Sequence, residues 1–487
     1  MVAGIFVGFL NTLYVQPQLL LASEIGLTKV LFSFSTLFAT LLPMGVGNIT
    51  LRYFPRFKDD ASGHHGFLGL MTGITLIGFL VYGSLLVLFA HFFIDYYQAK
   101  SPEFGQFFYY VLPFSFCIAM AGVFNTFCNG NFRSSVPTFL NDVFLKILFI
   151  VLIFIYHFGW IGFVSYIQLY VGVFVLQTLL LVYYISTFSK LNFKYDWSYM
   201  GRETNREILL YGLTFLLSSV ASMGLKTLDV LILAKYLPLA AVGIYGVAAT
   251  IPLIIEAPLN SLERIAAPKV TEAMEFNQTD ELQKIYTQSS HYLLLVGGWL
   301  FLMINLNIHD FLLMLKPEYA VGAKIVMILS VGNLINMATG VNNPFVYYSK
   351  YYKTGVTILL SMVVVATVNL LIFIPLWGLE GAAYATVLSN LVMNIAKSIV
   401  IKVKFGILPF NKSTLPLFLL TGVCWLAIFI PMPGWHPFFG IAIRSVLVSG
   451  IYFLVVLGFR LSPEMVTIQK IKWIAADVVE KVKKMGR

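Results

Sequence analysis

Apolar residues in this chain gather into runs of about 18 to 25, repeated from one end to the other, each long enough as a helix to cross a hydrocarbon core of about 30 Å. The runs predict spans near residues 2–22, 30–51, 66–92, 106–128, 138–157, 161–188, 208–233, 240–262, 291–314, 322–343, 354–375, 380–401, 415–431 and 438–459. The pattern is that of an all-α polytopic membrane protein with about fourteen transmembrane helices. The first run has no basic residues before it and no small-residue cleavage site, so a permanent span is expected there and not a signal peptide. Polar residues keep to the connections, the longest being 189–207 and 263–290. In the tail, Met465, Ile468, Ile471, Ala475, Val478 and Val482 fall on one stripe, as in a basic amphipathic helix lying on the membrane surface.

Composition agrees and narrows the class. Hydrophobic residues make up 59% of the chain and charged residues 11%, where soluble domains carry about 25% charged residues. Lys and Arg are distributed unevenly over the loops. With the N-terminus inside, the inner loops collect Arg52, Arg56, Lys58, Arg133, Lys190, Lys194, Arg264, Lys269, Lys350, Lys353, Lys402 and Lys404 among others, while the outer loops keep only Lys29, Lys100, Lys235 and Lys316. Both termini are therefore expected in the cytoplasm. The net charge of +10 fits loops facing an anionic leaflet and calls for no nucleic acid. Cys117, Cys128 and Cys424 lie in apolar runs without metal-ligand spacing, and His64 and His65 read as solvated residues at the edge of a span. No cofactor or metal is called for.

A weak internal repeat divides the chain. The stretch "EIGLTKVLFSFSTLFATLLPMGVGNITLRYFPRF" is echoed by "AVGIYGVAATIPLIIEAPLNSLERIAAPKV", and "FGWIGFVSY" by "WGLEGAAYA" about 219 positions later. Six spans is an even number, so the copies share an orientation and are related by an axis along the membrane normal. The expected organisation is an N-terminal six-helix lobe (1–188), a cytoplasmic linker (189–207), a second six-helix lobe (208–401), helices thirteen and fourteen (402–460) and the cytoplasmic tail (461–487). A substrate path belongs at the interface of such halves.

Charges inside spans cost about 2.5–3.5 kcal/mol at a helix centre, so they mark partners or watery cavities. Asp142 and Lys146 are four apart on the fifth span, and Lys226 and Asp229 three apart on the seventh, each pair on one helical face. Glu256 sits between Pro252 and Pro258, Arg444 lies in the last span, and Lys397 is close enough to a helix end to snorkel. Two readings stand side by side. The pairs hold helices together, or their lysines meet an anionic headgroup while Asp142, Asp229 and Glu256 hold the lysines or bind a coupling ion. Asn11, Gln16 and Gln18 around Pro17, Asn125 and Asn129, and Asn333, Asn336, Asn342 and Asn343 suggest a wet interior, and hydrogen bonding between helices explains some of them equally well.

The segments "GFLNTLYVQPQLLLASEIGLTKVL", "RYFPRF", "HHGFL", "NFRSSVPTFLNDVFLKI" and "LDVLILAKYLPLAAVGIYGVA" together resemble the polysaccharide-transporter branch of the multidrug/oligosaccharidyl-lipid/polysaccharide exporter superfamily, the Wzx-type flippases. The resemblance implies two six-helix lobes related by a pseudo-two-fold axis plus two C-terminal helices, working by alternating access in a bacterial inner membrane. It implies an undecaprenyl-diphosphate-linked oligosaccharide as substrate, an O-antigen, capsule or exopolysaccharide repeat unit, with proton or sodium coupling and polysaccharide polymerase or assembly proteins as partners. Carried onto this chain, the cavity cations are Lys146 and Lys226, with Arg52 and Arg133 at the inner mouth, and Asn11 and Asn125 as cavity polar groups. An organic-cation exporter of the same superfamily is the alternative, and two buried lysines argue against it. An enzyme is disfavoured because every outer loop is short and the outer acids are dispersed.

Overall fold

The computed structural model describes residues 2–60, 62–199, 201–411, 414–429, 437–459 and 461. The surface helix expected at 461–487 and the inner-loop Lys412 lie outside the described residues. Within them the chain is helical without strands, and nine helices are long and apolar enough to cross a membrane, or ten if the bent pair Leu239–Ala248 and Leu253–Glu275 is one span.

Two compact units emerge. One runs to Thr250 and takes in Leu359–Thr386; the other is Ile251–Ile358 with the chain from Val387 onward. In the first, the N-terminal helix Val2–Leu10 runs without a break through a π turn at Asn11–Val15 into Gln16–Leu19, and the irregular turn is followed at once by Pro17, which has no N–H to donate to it.

The next helix is Ala22–Leu41, and not a span at 30–51. Glu24 and Lys29, which looked like loop residues, are inside it. Glu24 accepts the Leu21 amide at 2.9 Å, capping the helix, and receives the Tyr156 hydroxyl on its other oxygen. The left-handed Gly45 then turns the chain into a separate amphipathic helix, Val46–Phe57, which buries Ile49, Tyr53, Phe54 and Phe57 and leaves Arg52 and Arg56 outside.

His64 is not solvated. Gly63, His64, His65 and Gly66 are successive left-handed residues, and this turn drives the His64 ring to 1% exposure, edge-on to Phe54 and Phe127. His65 stacks on Tyr199 with ring centroids 3.6 Å apart, and its carbonyl accepts the Asp196 amide. The connection after residue 188 is thus docked, not a loose tether. The Ser198 hydroxyl and amide hold the Asp196 carboxyl below its ordinary range there, and a helix, Gly201–Tyr236, has begun before the expected linker ends at 207.

In the second unit the expected connection 263–290 is mostly helix: Leu253–Glu275 and Thr279–Asn305 meet at a turn where Asn277 has φ 52°. Charged residues end a span's burial in lipid but not its helix, which amphipathic packing prolongs. The last span, Pro437–Gly458, is tied down by Arg444, whose guanidinium donates to the Leu306 carbonyl and pairs with Asp310 at 3.0 Å. The predicted break between the spans at 354–375 and 380–401 falls at Gly378, whose φ 57° and ψ −127° suit glycine alone. Cys117, Cys128 and Cys424 are buried and free.

Candidate functional site

Two polar clusters are built into the membrane-spanning helices, one in each unit. That of the first unit starts from a tight helix contact. A Cβ on Gly26 would overlap the Leu239 carbonyl, and one on Gly243 would overlap the Ala22 carbonyl, so Ala22–Leu41 and Leu239–Ala248 touch backbone to backbone. Ala22 and Leu239, and likewise Gly26 and Gly243, are as far apart in sequence as Lys29 and Gly246, which are separated by 217 positions. Gly26 and Gly243 are equivalent points of the two stretches that the internal repeat aligns, and Ala22 and Leu239 stand in the same register just before them. Each residue of one copy touches the partner of its own equivalent, which is how a contact across a two-fold axis looks.

The symmetry breaks one turn further along, where Lys29 stands opposite Gly246. Its stem lies against that glycine and its ammonium is 3.4 Å from the glycine carbonyl. Asp229 is the charge that acts on it. Asp229 accepts the Tyr245 hydroxyl at 3.0 Å and the Val230 amide at 2.8 Å, and Tyr245 is hydrogen-bonded in turn to Thr386. Lys29, Asp229 and Tyr245 thus form a cluster drawn from three helices. Only Asp229 was legible as part of it: Lys29 read as an outer-loop residue.

The expected pairings within one helix do not form. Among the described residues no ion pair joins Asp142 to Lys146 or Lys226 to Asp229. Leu140–Phe144 is a π turn, which takes Asp142 out of the α-helical register that would set it above Lys146. Lys146 donates instead to the Gly4 carbonyl at 2.7 Å, its stem crossing Gly8, where a Cβ would come within 2.8 Å of the ammonium. Asp229 turns inward to Tyr245, and Lys226 stays exposed.

Arg52 lies over the Tyr211 ring at 4.5 Å and reaches Glu207 at 3.9 Å, while Arg133 lies over Phe188 at 4.8 Å; both are exposed. Asn11 is 4% exposed, and its Oδ1, like that of Asn125, is buried without a protein hydrogen bond.

The cluster of the second unit surrounds a broken helix. Gly322–Ala338 ends, Gly340 turns left-handed at φ 67°, and Asn342–Tyr347 begins again. The Ser290 hydroxyl takes up the Ala338 carbonyl freed by the break. Two rungs of equal spacing join this segment to the Leu253–Glu275 helix: Asn336 donates to Glu256 at 2.8 Å and Asn343 to Glu263 at 3.0 Å.

Asn343 also accepts from Lys397 at 2.7 Å, and Lys397 is 3% exposed. It does not snorkel; the carboxylate of Glu263 beyond Asn343 holds its charge inside. Asn342 and Thr339 bond Asn394, and Asn333 donates to the Pro252 carbonyl, so the polar run on the tenth predicted span is a hydrogen-bonded network and not a bare wet surface. Glu263 escaped notice and Lys397 was read as snorkelling because each falls near a predicted span end, and their connection depends on a helix break marked in sequence by one glycine.

Irregular backbone with charged groups at membrane depth is a hallmark of transporter sites. The fold is shared with the solved structure of the lipid II flippase MurJ in an inward closed conformation, at TM-score 0.72 and 13% identity over 94% of this chain and 97% of that one. It is shared also with the inward-facing conformation of a multidrug resistance MATE family transporter of the MOP superfamily, at TM-score 0.63 and 15% identity over 83% and 94%. No curated protein matches the sequence. The family model described as polysaccharide biosynthesis protein matches residues 4–274, more than half of the chain, and the chain belongs to that family.

Proposed function

We propose that the protein flips an undecaprenyl-diphosphate-linked oligosaccharide, the repeat unit of an O-antigen, capsule or exopolysaccharide, from the inner to the outer leaflet of a bacterial inner membrane, with both termini cytoplasmic. The polysaccharide biosynthesis family and a fold shared with a lipid II flippase support a flippase or exporter; the charges on its spans favour an anionic lipid-linked cargo. The observation that carries this is Lys226, an exposed ammonium on a membrane span, with no ion pair among the described residues. Such a charge costs about 2.5–3.5 kcal/mol at the bilayer centre unless water or an anion meets it.

In this mechanism the diphosphate enters past Arg52 and Arg133 and forms charge-assisted hydrogen bonds with Lys226 and with Lys146, which gives up the Gly4 carbonyl to do so. The polyprenyl tail stays in lipid. The lobes 1–188 and 208–401 then rock, parting Gly26 from Gly243 on the side away from the basic loops.

In proteoliposomes carrying a fluorescent polyprenyl-diphosphate sugar, Lys226→Ala and Lys146→Ala are each expected to slow flipping about tenfold or more, the loss of at least one charged hydrogen bond at about 1.5–3 kcal/mol. Full-rate flipping by the double variant would reject the cationic path.

Asp229, set between Tyr245 and Lys29, is the group we assign to ion coupling, with Glu256 as a second carboxylate. Asp229→Asn keeps the shape and removes the charge. The expected result is that flipping no longer responds to an imposed proton or sodium gradient while a slow gradient-independent exchange persists. A response of undiminished size would move coupling elsewhere. Organic-cation export remains the second reading; a cavity that prefers a cationic dye to a polyprenyl diphosphate in competition would select it.

A further inference from the structure

The second unit carries a cavity of about 380 Å³ that the flipping path does not use. It lies where one long helical segment both begins and ends: Tyr351 and Lys350 precede its first residue, Tyr352, and Lys404 and Phe405 close it. Lys350 and Lys404 stand over the same Tyr351 ring, with ammonium groups 5.4 and 5.1 Å from its centroid. Both are exposed, and neither has an ion pair among the described residues. Two like charges gathered on one ring attract an anion more strongly than either alone.

The third wall is polar. Thr279, which lines the cavity, opens the Thr279–Asn305 helix; its amide donates to the Asn277 carbonyl and the first turn carries Asp280 and Glu281, so the positive charge of the site comes from the two lysines and not from the helix end. Tyr348 is 62% exposed beside it, and Tyr352 is exposed too, which is the aromatic dress of a membrane–water boundary. Basic groups, aromatic rings and a polar cavity at the end of two spans are where the phosphates of the adjoining leaflet lie.

We propose that this cavity binds the phosphate of a phospholipid headgroup, with Lys350 and Lys404 as its cations and Tyr351 as the ring that holds both in place. Glu275 on the same lining disfavours ligands that carry further negative charge and leaves room for a single phosphodiester. The site requires only that the chain span a membrane, so it stands or falls apart from the flipping reaction.

The test uses the full-length purified protein in detergent, titrated with dihexanoyl phosphatidylglycerol and, separately, with inorganic phosphate. The lipid is expected to bind saturably, at least tenfold more weakly to Lys350→Gln/Lys404→Gln, with inorganic phosphate failing to compete. Because both lysines are exposed, the melting temperature should not move; Tyr351→Leu is a second variant expected to weaken binding with both charges retained. Equal binding by wild type and the double variant, or no saturable binding, overturns the proposal. Competition by inorganic phosphate at the same concentration overturns the lipid and assigns the cavity to free phosphate.

Discussion

Gly26→Leu is expected to reduce both stability and flipping severely, and Gly243→Leu to do the same. Each glycine faces a backbone carbonyl of the partner helix so closely that even a Cβ overlaps it. A flexible side chain could move aside, but a helix backbone can yield only by shifting the whole element. The cost therefore falls at the upper end for overpacking, roughly 3 kcal/mol. Part of it should appear as a lower melting temperature in detergent. The rest should appear as transport lost by more than tenfold in the protein that still folds, because the two helices could no longer close on each other. Gly122→Leu is the matched control, since no atom lies within 4 Å of a Cβ there. Wild-type melting and flipping in Gly26→Leu would mean that the working protein never brings these helices together.

Lys397→Met should destabilise by about 3–5 kcal/mol, the loss that follows when one member of a buried charged set is removed and its counter-charge is stranded. Lys397 is bonded to Asn343, which is bonded to Glu263, and the second Glu263 oxygen is buried without a hydrogen bond of its own. With the ammonium gone, Glu263 keeps its charge in a poor environment. Glu263→Gln in the same chain should recover most of the stability, because a neutral amide still accepts from Asn343. The readout is a double-mutant cycle of thermal unfolding in detergent. Additive losses, with no recovery in the double variant, would show that the two charges do not act on each other through Asn343.

The charges show why sequence and structure part company. Asp142 and Lys146 have the spacing of a helical pair, and that inference is sound for an α-helix; a single π turn at Leu140–Phe144 cancels it. Lys29 and Glu24 read as loop residues because a charge lowers local hydropathy. Hydropathy cannot register that Tyr156 or Asp229, far away in sequence, awaits them. Asn336 and Asn343 were recognised as interior polar groups, yet the sequence offers no rule that finds Glu256 and Glu263 as their partners across two helices.

Read alone, the sequence was enough to establish a many-spanned helical membrane protein of a polysaccharide biosynthesis family, because hydrophobic length, loop charge and short motifs are local properties that every span carries independently. It also pointed to the repeat, whose equivalent stretches turn out to touch at Gly26 and Gly243. Which charges meet was fixed by three-dimensional packing. Partnership between Lys29 and Asp229, or between Lys397 and Glu263, depends on helix register, a π turn and a glycine break, each a small shift along a helix that redirects a side chain without leaving a periodic trace in the sequence.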